Sequence, residues 1–225
     1  KRNLVAKGQG HLAVGLVKYF AADGVKDGYR HYEGWLNELT SSGSNYSDIY
    51  RECVIPSPCW MTFREDLDKS DAFNPDQYPE DYDLAFRFLE NNLKVIPCSE
   101  VIHHWRDHST RTSRNDPNYS DNRFLGLKLK WFLKITRDAQ RPLVVWGCAS
   151  KGKILAKGLL EAEVDFRWMC NNPNKIGKHV YGKLIEDVAN ISDLKNPQVI
   201  IAVANKEQQA EISEQLSPDE AFFFC

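Results

Sequence analysis

The segment Leu143-Val144-Val145-Trp146-Gly147-Cys148-Ala149-Ser150-Lys151-Gly152-Lys153-Ile154-Leu155 restricts the available folds more than any other stretch. Four apolar residues without alternation read as a buried strand, the glycines as a tight turn, and the residues after the turn as a helix. That order aims backbone N–H groups and a helix amino end at an anion, although glycine spacing alone is a weak signal. The pattern then repeats. Residues 164–170 read as a second strand, 171–175 as a turn, 197–203 as a third strand and 206–216 as a helix. Strand, helix, strand, crossover, strand and helix call for a small parallel α/β sheet.

A chain of 225 residues has room for two modest domains, each with its own core. The boundary is placed at residues 138–142, giving domains 1–138 and 139–225. With 29 basic against 31 acidic residues, no net field exists to hold a nucleic-acid backbone, which argues against that partner class. The six cysteines are scattered without Cys-x-x-Cys spacing, so neither a zinc knuckle nor a disulfide scaffold is expected, and a reducing cytoplasm is. No run approaches the roughly 20 apolar residues that cross a bilayer, and no signal peptide opens the chain. It begins without Met, in mid-pattern, and reads as a piece of something longer. Residues 119–137 form a long helical pattern whose apolar positions are interrupted by Lys128, Lys130 and Lys134. Such a helix packs between domains, lies on a membrane surface, or meets a lipid-linked acceptor.

In the first domain, residues 11–20 give a short apolar strand, and Tyr32, Trp35, Leu36 and Leu39 mark a helix over 29–39. Residues 64–69 read as a helical turn, and 93–97 and 101–105 as two strands. Between them lies Pro79-Glu80-Asp81-Tyr82-Asp83-Leu84-Ala85-Phe86, where a proline fixes the entry to a helix and three carboxylates meet the positive end of its dipole. The bland reading is a capped helix; the chemical one is a general base. Residues 103–114 hold three histidines and three arginines. Imidazoles suit a metal, and Arg106, Arg111 and Arg114 suit phosphate oxygens, although arginines also simply solvate loops.

These residues carry a resemblance. Ile55 to Trp60, Phe63-Arg64, Phe73, the run Pro79 to Arg87 and the Arg106-x-His108 loop look like the acceptor half of family 2 glycosyltransferases of the GT-A fold, over about residues 45–115. Trp105-Arg106 stands where that family has Tyr-Arg. The resemblance implies an inverting transfer of a sugar from a nucleotide-sugar donor to a saccharide or lipid-linked acceptor, in cell-surface polysaccharide synthesis at the cytoplasmic face of a membrane. Asp81 would be the base that deprotonates the acceptor hydroxyl and Glu80 would orient it. Trp60, Arg106, Arg111 and Arg114 would contact substrate and diphosphate. His108, and His104 after it, would contact a divalent metal, Mn or Mg, or the diphosphate. The family's donor half, with its Asp-x-Asp motif after a buried strand, has too little room before residue 45, so the chain by itself is expected to transfer nothing.

The second domain resembles the small Rossmann-like domains attached to some sugar-modifying enzymes, through Trp146-Gly147-x-x-Ser150-Lys151-Gly152 and Asn172-Pro173-x-Lys175-x-Gly177-Lys178. Gly147, Ser150, Lys151, Gly152 and Asn171 would then hold a nucleotide or sugar nucleotide. Ala149 occupies one glycine position of the dinucleotide fingerprint, and Cys170-Asn171 stands where an acid would bind a ribose. An empty docking module is the competing use, and a non-catalytic scaffold is the alternative for the chain as a whole.

Overall fold

The computed structural model describes residues 1–72, 79–108 and 124–225, and the chain divides into two compact units. One holds residues 1–49 and 53–120; the other holds 50–52 and 121–225. Each contains a sheet with parallel strands, so the chain is mixed α/β. No helix among the described residues is long and apolar enough to cross a membrane.

The first unit is built on β1 (His11–Phe20), which lies between β2 (Trp60–Met61) and β3 (Lys94–Arg106). β1 buries Leu12, Ala13, Val14, Val17 and Tyr19. β3 runs parallel to it along its whole length, whereas β2 meets only Ala13 and Val14. Two strands were expected where β3 is one. Pro97 cannot donate to the ladder and looks like a stop in the sequence. Instead the chain bulges: Pro97 pairs with Val14 and Val101 with Leu16, and pairing then resumes to Arg106. Gly15 lies inside the bulge because a Cβ there would stand 2.5 Å from Ile102 Cδ1.

Helix α1 (Arg2–Lys7) precedes β1, and α2 (Asp27–Ser42) follows it. α2 buries Leu36 and Leu39, two members of the expected stripe, with Tyr32 and Trp35 half-buried. It also guards the strand edge that β2 is too short to cover. Asn37 accepts from Val17 N–H at 3.0 Å and donates to Val17 O at 2.9 Å, and Glu33 accepts from Tyr19 N–H. Side chains thereby satisfy backbone groups that a longer strand would have paired. α3 (Arg64–Lys69) coincides with the expected turn, and its buried Asp66 accepts the Gly10 N–H on both oxygens at 3.0 Å. α4 (Glu80–Glu90) drives Tyr82, Leu84, Ala85, Phe86 and Phe88 into the core.

The second unit places β4 (Leu143–Trp146), β5 (Arg167–Cys170), β6 (His179–Val180), β7 (Lys183–Asp187), β8 (Gln198–Ile201) and β9 (Ala221–Phe223) in the order β6-β7-β5-β4-β8-β9. All pairs are parallel except the β6–β7 hairpin. Counting parallel strands along the chain, the order is 3-2-1-4-5, compatible with a Rossmann-like sheet that reverses direction between β4 and β8. The remaining helices are α5 (Leu125–Trp131), α6 (Ser150–Glu161) and α7 (Lys206–Gln215), with a π-helical turn at Phe132–Thr136 after α5.

The helix read over 119–137 is therefore shorter, and its first residues lie outside the described ones. It also falls in the second unit, so the chain divides near residue 120 rather than at 138. Packing explains the shift. Leu127, Leu129, Trp131 and Phe132 are buried, Leu129 reaches Gly158 on α6, and Phe132 meets Phe222 and Phe224 edge-on. Tyr50 stacks on Phe224 with ring centroids 5.2 Å apart, which is why residues 50–52 group with this unit. The basic face expected for membrane or acceptor contact is broken as well. Lys128 is buried, and its Nζ donates to Arg51 O at 2.8 Å and Phe224 O at 3.3 Å. Burial holds its pKa below the ordinary lysine value.

Candidate functional site

In the first unit the site is the mouth of α4. Pro79 occupies the N-cap at φ −72°, ψ 134°, and no side chain caps the helix. The three acids of the first turn then have three different surroundings. Asp83 is buried at 3 % exposure, with Oδ2 2.6 Å from Arg87 Nε; Arg87 Nη1 in turn lies 2.9 Å from Asp71 Oδ2. Burial works against the guanidinium charge, but hydrogen bonds and charge from Asp83 and Asp71 outweigh it and raise its pKa. Asp83 is thus a structural anion. Glu80 is exposed. Asp81 is half-buried, and its Oδ1 accepts from Tyr82 N–H at 2.8 Å. Tyr82 itself is fully buried, and its hydroxyl donates to Ile49 O. The group that orients Asp81 is therefore anchored in the core.

The end of β3 carries the expected cations. Arg106 is its last residue, exposed and in register with Phe20. Strand alternation separates the two histidines of the strand. His103 and Trp105 share a face with Tyr19, on which Trp105 stacks at 5.3 Å. His104 turns to the opposite face, in register with Lys18, whose ammonium is paired with Glu33 at 3.0 Å. His108 is exposed beyond the strand; Arg111 and Arg114 lie outside the described residues. Trp60 has a packing role, meeting Phe88 of α4 edge-on at 5.2 Å.

Among the described residues no group of three His, Cys, Asp or Glu comes together to hold a divalent metal, and the register neighbour of His104 is a lysine. Mn or Mg would want several oxygen ligands in close geometry. The expected metal role of His104 and His108 finds no support among the described residues.

In the second unit the glycine turn is shaped chiefly by packing. Gly147 adopts φ +123°, and a Cβ there would stand 3.1 Å from Ala202 O; a Cβ on Gly152 would stand 2.0 Å from Gly147 O. Trp168 Nε1 donates to that same carbonyl at 2.8 Å. The amino end of α6 follows, with Ala149 at the N-cap and no side-chain cap. Ser150 and Asn171 are exposed, and Lys151 is half-buried. Sequence patterning gives no sign of Arg51, whose Nη1 donates to Gln209 Oε1 at 2.6 Å and Cys225 O at 3.2 Å, or of the burial of Lys128 beside it. Nothing local marks either residue, because their partners come from distant parts of the chain.

No family model matches the chain, and no curated protein matches it. Among solved structures, the crystal structure of RSP, a Rex-family repressor, aligns over 88 % of this chain and 86 % of that one, at 12 % identity and a TM-score of 0.32. A superposition that loose does not define a shared fold.

Proposed function

We propose that the first unit is the acceptor half of an inverting, nucleotide-sugar-dependent glycosyltransferase of the GT-A fold, with Asp81 as its general base. The observation that carries this is the division among the three acids: Asp83 is buried against Arg87, Glu80 is exposed, and Asp81 is half-buried at the helix mouth, its Oδ1 accepting from a core-anchored backbone N–H. In this reading a sugar hydroxyl gives its proton to Asp81 as its oxygen attacks the anomeric carbon, and the nucleoside diphosphate departs. Such a base contributes a factor of roughly 10²–10⁴. Arg106, with Arg111 and Arg114, stabilises the charge that develops on the leaving phosphates. The sheet edge supports a missing partner half. β3 is the outer strand among the described residues, and it exposes Val101 and Ile102, an edge that proteins rarely leave bare.

The reaction then runs at the cytoplasmic face. Its test is transfer from several nucleotide sugars by the protein in its full length. Asp81→Asn should lower the rate at least about 100-fold with donor affinity unchanged; an unaltered rate removes the assignment.

For the second unit the reading is a nucleotide or sugar-nucleotide site at the carboxyl ends of β4 and β5, using Ser150, Lys151 and Asn171. Gly147→Val is no probe of it, because the turn needs that glycine to fold. Calorimetry with nucleoside diphosphates and their sugars should show heat that Lys151→Glu weakens; no heat from any of them leaves docking as the module's use.

A further inference from the structure

The connection from β7 to β8 leaves part of the second unit's sheet open. Parallel strands are usually joined by a crossover helix that covers the sheet between them, but here the chain returns through a six-residue 3₁₀ segment, Val188–Asp193. Its Val188 and Ile191, with Leu194 after it, pack on the buried cluster that includes Val199, Ile212 and Leu216, yet all three stay half-exposed. Between this segment and the end of α7 lies a groove of about 600 Å³, lined by those three residues and Leu216. A space of that size fits a small molecule. Neither Ser150, Lys151 nor Asn171 lines it, so it is separate from the proposed nucleotide site.

Charge marks the two ends of the groove. Among the described residues its charged lining members are Asp187 and Glu220, both acids. Asp187 ends β7 at the carboxyl edge of the parallel sheet, whereas Glu220 directly precedes β9 at the amino edge. In the order β7-β5-β4-β8-β9 the outer two strands are four spacings apart, which puts the two backbones about 20 Å from each other. Both carboxylates are bonded to neutral groups. Asp187 Oδ1 accepts from Ala189 N–H at 3.0 Å, and Glu220 Oε2 accepts from Ser217 N–H at 3.1 Å and from its hydroxyl at 2.6 Å. Arg141 is bonded to the wall rather than part of the lining, donating to the carbonyls of Asn196, Pro197 and Asp219.

We propose that this groove binds a linear aliphatic diamine, with its methylene chain on Val188, Ile191, Leu194 and Leu216 and one ammonium at each acid. The chain displaces water from apolar side chains, and each terminal cation meets a carboxylate in a charge-assisted hydrogen bond. A short diamine cannot reach both acids. A monoamine leaves one of them unmatched.

The test is calorimetry on the whole chain with diaminooctane. One molecule per chain should bind, more weakly as salt is raised. Asp187→Asn and Glu220→Gln keep an acceptor oxygen for Ala189 and Ser217, so the fold should persist, and each should weaken binding about fivefold. Octylamine should likewise bind about fivefold more weakly than the diamine, diaminobutane and octanediol should give no measurable heat, and Glu211→Gln, exposed on α7, should change nothing. The site is overturned by absence of diaminooctane binding, by affinity indifferent to both acid substitutions, or by diaminobutane or octanediol binding as tightly as diaminooctane. Should circular dichroism show the variants unfolded, the unaltered chain decides: equal affinity for octylamine and diaminooctane rejects the proposal.

Discussion

The two units use their unusual residues in opposite ways. In the first, the sheet has three strands among the described residues, and the acid of the proposed site is half-buried at a helix mouth. In the second, the parallel sheet has five strands, and the residues that look like a ligand motif are absorbed by the fold: Gly147 by Ala202, Gly152 by the Gly147 carbonyl, and that carbonyl by Trp168. A motif read from spacing alone cannot tell these cases apart. What separates them is how far the core covers the residues of the motif.

The largest effect that would break this contrast lies at Gly152. It sits in the first turn of α6, where Gly→Ala ordinarily stabilises a helix by about 1 kcal/mol. Here the added Cβ would stand 2.0 Å from backbone oxygen, and neither partner is a flexible side-chain end. Gly152→Ala should therefore cost more than about 4 kcal/mol, seen as loss of the cooperative unfolding transition of the second unit. A variant as stable as the parent would show that the turn has slack, and would return the glycines to the ligand-binding reading.

Next in size is the comparison within α4. Asp83→Ala strips a partly buried guanidinium of its nearer partner, and should cost about 2–4 kcal/mol in chemical denaturation. Asp81→Asn keeps the shape of its side chain and can still accept from Tyr82 N–H, so stability should change by less than about 0.5 kcal/mol while transfer collapses. Equal stability losses from the two would erase the distinction between structural and chemical acid on which the proposed base rests.

How far the sequence reveals this can be judged residue by residue. α2, α3, α4, β4 and β8 are legible because apolar periodicity and flanking turn residues agree there. β7 is not, since Lys183-Leu184-Ile185-Glu186-Asp187 exposes Leu184 and buries only Ile185, leaving no pattern. β9 is three residues long. β3 is hidden by Pro97, and the division of the chain by the fact that an apolar helix face does not name what it will pack against. At the α4 mouth the three acids are legible as a group. Which of them is taken into an ion pair depends on Arg87 and Asp71, a tertiary fact.

The smallest effect sharpens the contrast through pH. Cys59 in the first unit is buried, and burial pushes its thiol from 9.0 up to about 11. The folded chain keeps the proton where the unfolded chain gives it up, so this residue contributes stability that is full below pH 9 and is lost as pH rises toward 11. Lys128 in the second unit has the opposite sign. Burial lowers its pKa from 10.5, so the unfolded chain binds the proton more tightly, and stability rises with pH until the unfolded value is passed. The measurement is the difference between parent and variant in unfolding free energy between pH 8 and about pH 10.5. Cys59→Ala should remove a decline of about 2 kcal/mol, and Lys128→Met should remove a rise. If both substitutions shifted the profile in the same direction, one of the two groups would not be in the surroundings described, and the view that the second unit spends its cations on its own core would lose its best-placed example.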